Sequence, residues 1–289
     1  MASVLRSKSL PQQEFAPPRE RRGTHRRYRE VMVGGIRTAC LSRLQLTSLM
    51  VGDCLAARGG ERRPKLVFAS NGHSIALAAS NAQFHRYFQE ANLIHADGQP
   101  VVLASKLLTR DPIPERSATT DFIHDAARAA PASGLRFYLL GGTARVNEMC
   151  ADMLMAQHDV KIAGRHHGYF GKSEETTLCE TINASDADVL WVGLGVPREY
   201  EFCVRNRHRL NVGWIVTCGG CFNFVIGEYM RAPRWMQSCG LEWLYRLLRE
   251  PRRLFLRYAV TNPLALASLL TRTGSSGFRQ GEQSWISTA

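Results

Sequence analysis

Asp97 is the residue of this chain best placed to move a proton. It lies in the stretch LIHADGQPVVL, residues 93–103, where a short apolar run delivers an Asp-Gly pair and turns directly into a second apolar run. Leu93, Ile94 and Ala96 read as a buried strand, Gly98 lets the backbone bend sharply, and Pro100 suits the first turn of a helix. A carboxylate is thereby set at the carboxyl end of a strand, the edge of an open α/β sheet where ligand crevices form, and so in position for general acid or base work. Capping of the following helix is the other reading of the same residue, and it stays open at this point.

Other predicted strand exits carry small or polar residues too: Asn71-Gly72, Gly141-Gly142, Gly193-Leu194-Gly195 and Gly219-Gly220. Such exits let a ligand approach the backbone, and helix starts after them can hold phosphate. His73, beside Asn71, is the second candidate for the crevice. The run GGTARVNEM at Gly141 opens a helix but lacks the third glycine of a dinucleotide loop, which argues against a nicotinamide enzyme and leaves a nucleotide diphosphate open. Asp186-Ala187-Asp188 has the form of a metal-holding DxD, yet it precedes an apolar run and so belongs at the amino end of a strand, away from the crevice. His166 and His167 are adjacent and point to opposite faces of an extended chain, so one is expected to line the site and the other to be structural. His95 and His124 read as structural histidines. Cys218-Gly-Gly-Cys221 has no second pair at zinc spacing, and all eight cysteines read as buried thiols of a reducing compartment. No metal or cofactor is expected.

The elements that must position these residues are legible as an alternation. Apolar runs at 65–69, 93–96, 135–140, 160–163, 189–192 and 214–217 read as strands. Helical patterns fit between them at 74–90, 100–108, 120–130, 144–157, 174–183 and 198–209, with an initial strand or hairpin near 31–41 and a helix at 44–57 that Gly59-Gly60 would end. The class is α/β: a mostly parallel, Rossmann-like sheet with helices on both faces, followed by a helical, basic C-terminal appendage. The expected division is a flexible basic tail over 1–30, a core over 31–228 and the appendage with its tail over 229–289.

The 289 residues are 45% hydrophobic and 21% charged, enough for a large core, and the net charge of +12 calls for an anionic partner. Within 228–272 stand Arg231, Arg234, Arg246, Arg249, Arg252, Arg253, Arg257 and Arg272, mixed with Trp235, Trp243 and Tyr245 on amphipathic patterns. That mixture suits an anionic lipid surface better than nucleic acid, for which no helix-turn-helix, zinc-finger or RRM pattern is present. The run 258–270 is apolar but short and is interrupted by Thr261, Asn262 and Pro263, so it reads as interfacial rather than spanning. The N-terminus shows no apolar leader, which gives the expectation of a cytoplasmic, peripheral protein. Self-association is left open as another way to cover the appendage.

Several stretches together resemble the WecG/TagA/CpsF family of bacterial glycosyltransferases. They are SNGHSIAL at Ser70, ADGQPVVLASKLL at Ala96, ERSATTDF at Glu115, FYLLGGTARVNE at Phe137, HHGYF at His166, VGLGVPREYEF at Val192 and the long run from Gly219 through Tyr258. The resemblance implies an inverting, metal-independent transfer from a UDP-sugar to a polyprenyl-diphosphate-linked acceptor in surface or exopolysaccharide assembly. It places the base on Asp97 and sets Asn71 on the asparagine of the family's T-x-N motif. Together with the strand exits, the expected substrate contacts are Asn71, His73, Gly98, Gly141, Gly142, Gly193, Gly195, Pro197, Arg198, Glu199 and Gly220. Arg231 falls in the appendage thought to close over the site, and Arg231 and Arg234 are expected to serve either the leaving group or the acceptor's diphosphate. Ala69, Glu199, Tyr200 and Asn223 depart from the usual pattern. A non-catalytic nucleotide-sugar-binding or regulatory protein is the alternative those departures motivate.

Overall fold

The computed structural model describes residues 28–58 and 63–274; the expected tail over 1–30 lies outside them as far as residue 27, with Glu30 already the start of the first strand, and the Gly59-Gly60 helix end lies outside them too. In chain order the elements are the hairpin strands β1 (Glu30–Val33) and β2 (Ile36–Ala39), α1 (Arg43–Arg58), β3 (Lys65–Ser70), α2 (Gly72–Ser80), α3 (Ala82–Glu90), β4 (Leu93–Ala96) and α4 (Gln99–Leu108). There follow α5 (Thr119–Ser133), β5 (Arg136–Gly141), α6 (Ala144–His158), β6 (Lys161–His166), α7 (Glu175–Ala184), β7 (Val189–Gly193), α8 (Arg198–Asn206), β8 (Trp214–Thr217) and α9 (Cys221–Val225). The appendage is α10 (Arg234–Ser238), α11 (Glu242–Arg249) and α12 (Pro251–Thr271).

Strands β3 to β8 form one sheet in the order β4-β3-β8-β7-β5-β6, and every neighbouring pair is parallel. The six runs read as strands are these six, and the Rossmann-like class holds. Successive strand residues face opposite layers, as the two-residue period requires. Leu66, Phe68, Leu190, Val192 and Ile215 join one core with Phe84, Phe88 and Tyr200; Val67, Val189, Trp191, Trp214 and Val216 join the other with Phe122 and Phe137. The chain winds from β3 outward to β4 and then returns to build the other side, so the order reverses between β3 and β8. At such a reversal the helices depart to opposite faces and a crevice opens at the carboxyl ends.

Three helical readings differ from the structure. The pattern at 74–90 is two helices, because Asn81 ends α2 with its N–H on the Leu77 carbonyl (2.9 Å) and starts α3 by accepting from the Phe84 N–H (3.0 Å). Asn is among the strongest N-cap residues, and the cap wins over continuous periodicity. α8 stops at Asn206, whose buried amide turns to Glu175 at 2.8 Å, and one 3₁₀ turn continues over Arg207–Arg209. Thr261, Asn262 and Pro263 do not interrupt α12, which is one helix of 21 residues; Thr261 Oγ1 donates back to the Arg257 carbonyl at 2.8 Å. α12 is long and apolar enough to cross a membrane by length and composition. Its buried face, with Leu254, Tyr258, Thr261, Ala265, Ser268 and Leu269, is packed chiefly on α2. Beyond α12 the chain returns to the hairpin: Gly35 N–H donates to the Arg272 carbonyl (2.9 Å), Gly34 N–H to Thr273 Oγ1 (2.9 Å), and Gly274 N–H to the Met32 carbonyl (3.2 Å).

Candidate active site

Asp97 follows β4 directly, and its turn is fastened to the neighbouring strand, since the N–H groups of Asp97 and Gly98 both donate to the Ser70 carbonyl (2.9 and 3.0 Å). Its carboxylate does not cap α4, whose N-cap Gly98 has no side-chain bond. It turns instead to the start of α5: Oδ1 accepts from the Thr119 N–H (2.7 Å) and hydroxyl (3.1 Å), while Oδ2 accepts from Asn71 Nδ2 (3.1 Å). Burial alone would raise this carboxyl. The Arg116 guanidinium, His95 and the bonds from Thr119 and Asn71 outweigh burial and hold it below the usual carboxylate range. Arg116 also donates from Nε to the Asp97 carbonyl at 2.6 Å.

Asn71 does two jobs with one amide. Its Oδ1 caps α2 at the Ser74 N–H (3.0 Å), which leaves Nδ2 aimed at Asp97. Gly98 has ordinary torsions, φ −93° and ψ 132°, so the sharp bend expected of it is absent. A Cβ there would lie 3.0 Å from Asn71 Cα and 3.1 Å from its Cβ; the requirement is close approach.

These groups form the floor of a cavity of about 560 Å³, within the range of small-molecule sites. Thr217, Gly219, Gly220, Gly195 and Glu199 continue the floor, and α11 and α12 roof it with Trp243, Arg246, Arg257, Tyr258, Ala265 and Leu266. A smaller cleft of about 240 Å³ between the hairpin and α3 lies apart from Asp97. His73 lies under Arg257; burial and that neighbouring charge push its imidazole down to about 4, so it is neutral. Burial, then Arg246 and Arg253, pull Arg257 below its ordinary value against the effect of Tyr258. Among the described residues neither Arg246 nor Arg257 has a carboxylate partner; their guanidinium groups lie over the Phe224 and Tyr258 rings at 5.4 and 5.8 Å. Two crowded cations facing a cavity make an anion site.

Of the predicted contacts, Asn71, His73, Gly98, Gly195, Glu199 and Gly220 meet Asp97 at this cavity. Gly141, Gly142 and Gly193 do not line it; they let two strand exits touch, for a Cβ on Gly141 would run into the Gly193 carbonyl. Pro197 and Arg198 also stand off it, with Arg198 donating to the Gly168 and Phe170 carbonyls at 2.7 and 2.6 Å. Arg231 is spent on Asp121 (2.8 Å) and Glu242 (3.3 Å), and Arg234 is exposed at the start of α10. Neither His166 nor His167 lines the cavity, so the division of labour expected of the pair is not found; His166 Nδ1 meets the His167 carbonyl at 2.7 Å.

Sequence reasoning passed over Arg116, Thr119, Arg246 and Arg257. The first two stood inside ERSATTDF, but nothing in spacing says that this stretch crosses back to Asp97. Asp188 is buried at the amino end of β7, where it pairs with Arg58 at 2.6 Å and accepts from the Arg136 N–H at 2.8 Å, which is the structural role expected of the DxD. Among the described residues no group of three or more His, Cys, Asp or Glu is disposed to hold a metal. All eight cysteines are free; six are buried, but Cys40 is half-buried and Cys239, in the turn after α10, is exposed, against the expectation of eight buried thiols, and burial pushes the Cys218 and Cys221 thiols well up.

Residues 31–277 match the model of the glycosyl transferase WecG/TagA/CpsF family. The chain belongs to this family. Its glycosyltransferase membership fits a cavity lined by a deprotonated carboxylate and by arginines that have no carboxylate partner among the described residues. Of its departures from the family pattern, Ala69, Glu199 and Tyr200 line the cavity. Asn223 stands apart, bonded to Glu228 at 2.9 Å in the turn after α9.

Proposed function

We propose that this protein is an inverting glycosyltransferase that moves a sugar from a UDP-sugar to a polyprenyl-diphosphate-linked acceptor, with Asp97 as base and without a metal. The observation that carries the reading is the pairing, in one cavity, of a carboxylate held ionised at a strand exit with two arginines that have no carboxylate partner among the described residues. Thr119 occupies Oδ1 twice and Asn71 occupies Oδ2 once, which leaves Oδ2 a lone pair for a substrate proton. As Asp97 takes the proton from the acceptor hydroxyl, that oxygen bonds to the anomeric carbon. The bond from that carbon to the diphosphate breaks, and the electron pair leaves on the phosphate oxygen. Arg246 and Arg257 face the developing charge.

The acceptor's lipid calls for a bilayer beside the roof. Phe255, Leu256, Val260 and Leu270 of α12 are exposed, among Arg249, Arg252 and Arg253, a composition that favours an anionic interface. This face supports the reading of a peripheral protein on the inner face of the cell membrane.

The test is transfer from a panel of UDP-sugars to a short-chain polyprenyl-diphosphate glycolipid, with and without chelator. Asp97→Asn is expected to lose about 100-fold or more of the rate while keeping its melting temperature. Undiminished transfer by the folded variant would remove Asp97 from the mechanism. Because Asp97 is held below the usual carboxylate range, the acid limb of the wild-type rate profile is expected below that range.

A further inference from the structure

The mechanism above uses one carboxyl of the cavity and leaves a second, Glu199, without a task. Glu199 is 3% exposed and stands in the first turn of α8. Its Oε2 accepts from the N–H groups of Gly195 (3.1 Å) and Gly219 (3.0 Å), so it ties the β7 exit to the β8 exit. The groups that act on it or that it acts upon are Asp97 from the β4 exit, Tyr200 and Cys203 from its own helix, and Cys218 from the β8 exit; none is a cation. Burial pushes its carboxyl up to about 8, against the Gly219, Gly195 and Leu194 amides that favour the charge; Asp97 adds to the rise. The two carboxyls of one cavity are thereby driven apart, one ionised and one neutral at pH 7, the arrangement that separates acid from base roles.

We infer, resting on the glycosyltransfer reading, that Glu199 acts in its carboxylic-acid form as a hydrogen-bond donor to the departing diphosphate. In the sheet β3 stands between β4 and β8, so Asp97 and the β8 exit are two strand spacings apart, on the order of 10 Å. An inverting displacement needs base and leaving group on opposite sides of the sugar. With Asp97 at the β4 end of the cavity floor, the leaving group lies toward its β8 end, where Glu199 is bonded to Gly219. The two glycine N–H groups hold Oε2, and Oε1 carries the proton to offer. No proton is transferred in full: the hydrogen bond strengthens as the electron pair arrives on the phosphate oxygen. An ionised Glu199 would instead repel the same oxygen.

Two measurements test this, one of them free of substrate. Infrared difference titration of wild type against Glu199→Gln is expected to show a protonated carboxyl band at pH 7 that disappears as pH rises through about 8. UDP binding by calorimetry is expected to weaken roughly tenfold for wild type between about pH 7 and about pH 9, one unit beyond the midpoint. In Glu199→Gln, whose amide is a neutral donor of the same shape, that pH dependence is expected to vanish. A melting temperature within the wild-type range keeps the comparison valid, and the wild-type titration stands whether or not the variant folds. A missing band overturns the neutral form. A band accompanied by UDP binding with the same pH dependence in both proteins overturns the donor role and leaves the glycosyltransfer reading intact. UDP binding absent at every pH overturns both.

Discussion

At the scale of single residues, Gly98 offers a direct probe of how tightly Asp97 is placed. Gly98→Ala brings a methyl group to 3.0 Å from Asn71 Cα, tighter than most real contacts, so Asn71, the residue that holds Asp97 Oδ2, must give by a few tenths of an ångström. A displacement of about 1 Å costs roughly 100-fold in rate, and a measurable loss smaller than that is the expectation for this variant in the transfer assay. His73 reports on the anion site instead. Its ring is held neutral down to about pH 4 by burial and Arg257, so its NMR titration should fall well below that of an exposed histidine. A group depressed this way favours folding above its unfolded pKa near 6.5, and that contribution is lost as pH falls toward 4. Pyrophosphate bound at Arg257 should raise the midpoint; an unchanged midpoint would place the anion elsewhere. Asp97 was legible in the sequence because strand, carboxylate and glycine are contiguous. Arg246 and Arg257 were not: eight arginines look alike until the structure shows which ones have carboxylate partners.

At the scale of elements, the sheet was readable from six apolar runs because a parallel strand buried on both faces leaves little room for polar residues. What joins the appendage to the core was not readable, since Arg116 and Glu242 meet at 2.7 Å from stretches far apart in the chain. Glu242 also faces Arg231, which reaches Asp121 on α5, so one carboxylate fixes α11 to two parts of the core. Glu242→Gln is expected to lower stability by about 2 kcal/mol in urea unfolding, between the cost of breaking an exposed ion pair and that of breaking a buried one. The same variant should weaken the hold on Asp97 through Arg116, lowering kcat more than it raises KM. Stability and kcat both unchanged would mean that the pairs are idle.

At the scale of the whole molecule, the net charge of +12 gathers meaning from where the apolar surface lies. Leu256 is 74% exposed on α12, so Leu256→Glu should leave the melting temperature alone and reduce sedimentation with anionic vesicles. Retained vesicle binding would direct the search to another face. The roof that carries this surface is made fast at both ends. α11 is held by Glu242, and the residues after α12 are hydrogen-bonded to the β1–β2 hairpin at Met32, Gly34 and Gly35. A roof tied this way is an arch rather than a hinged lid: it can flex along its span, but swinging clear would require breaking one of its springings. A substrate would then be taken in from the flank, beneath a span that stays in place.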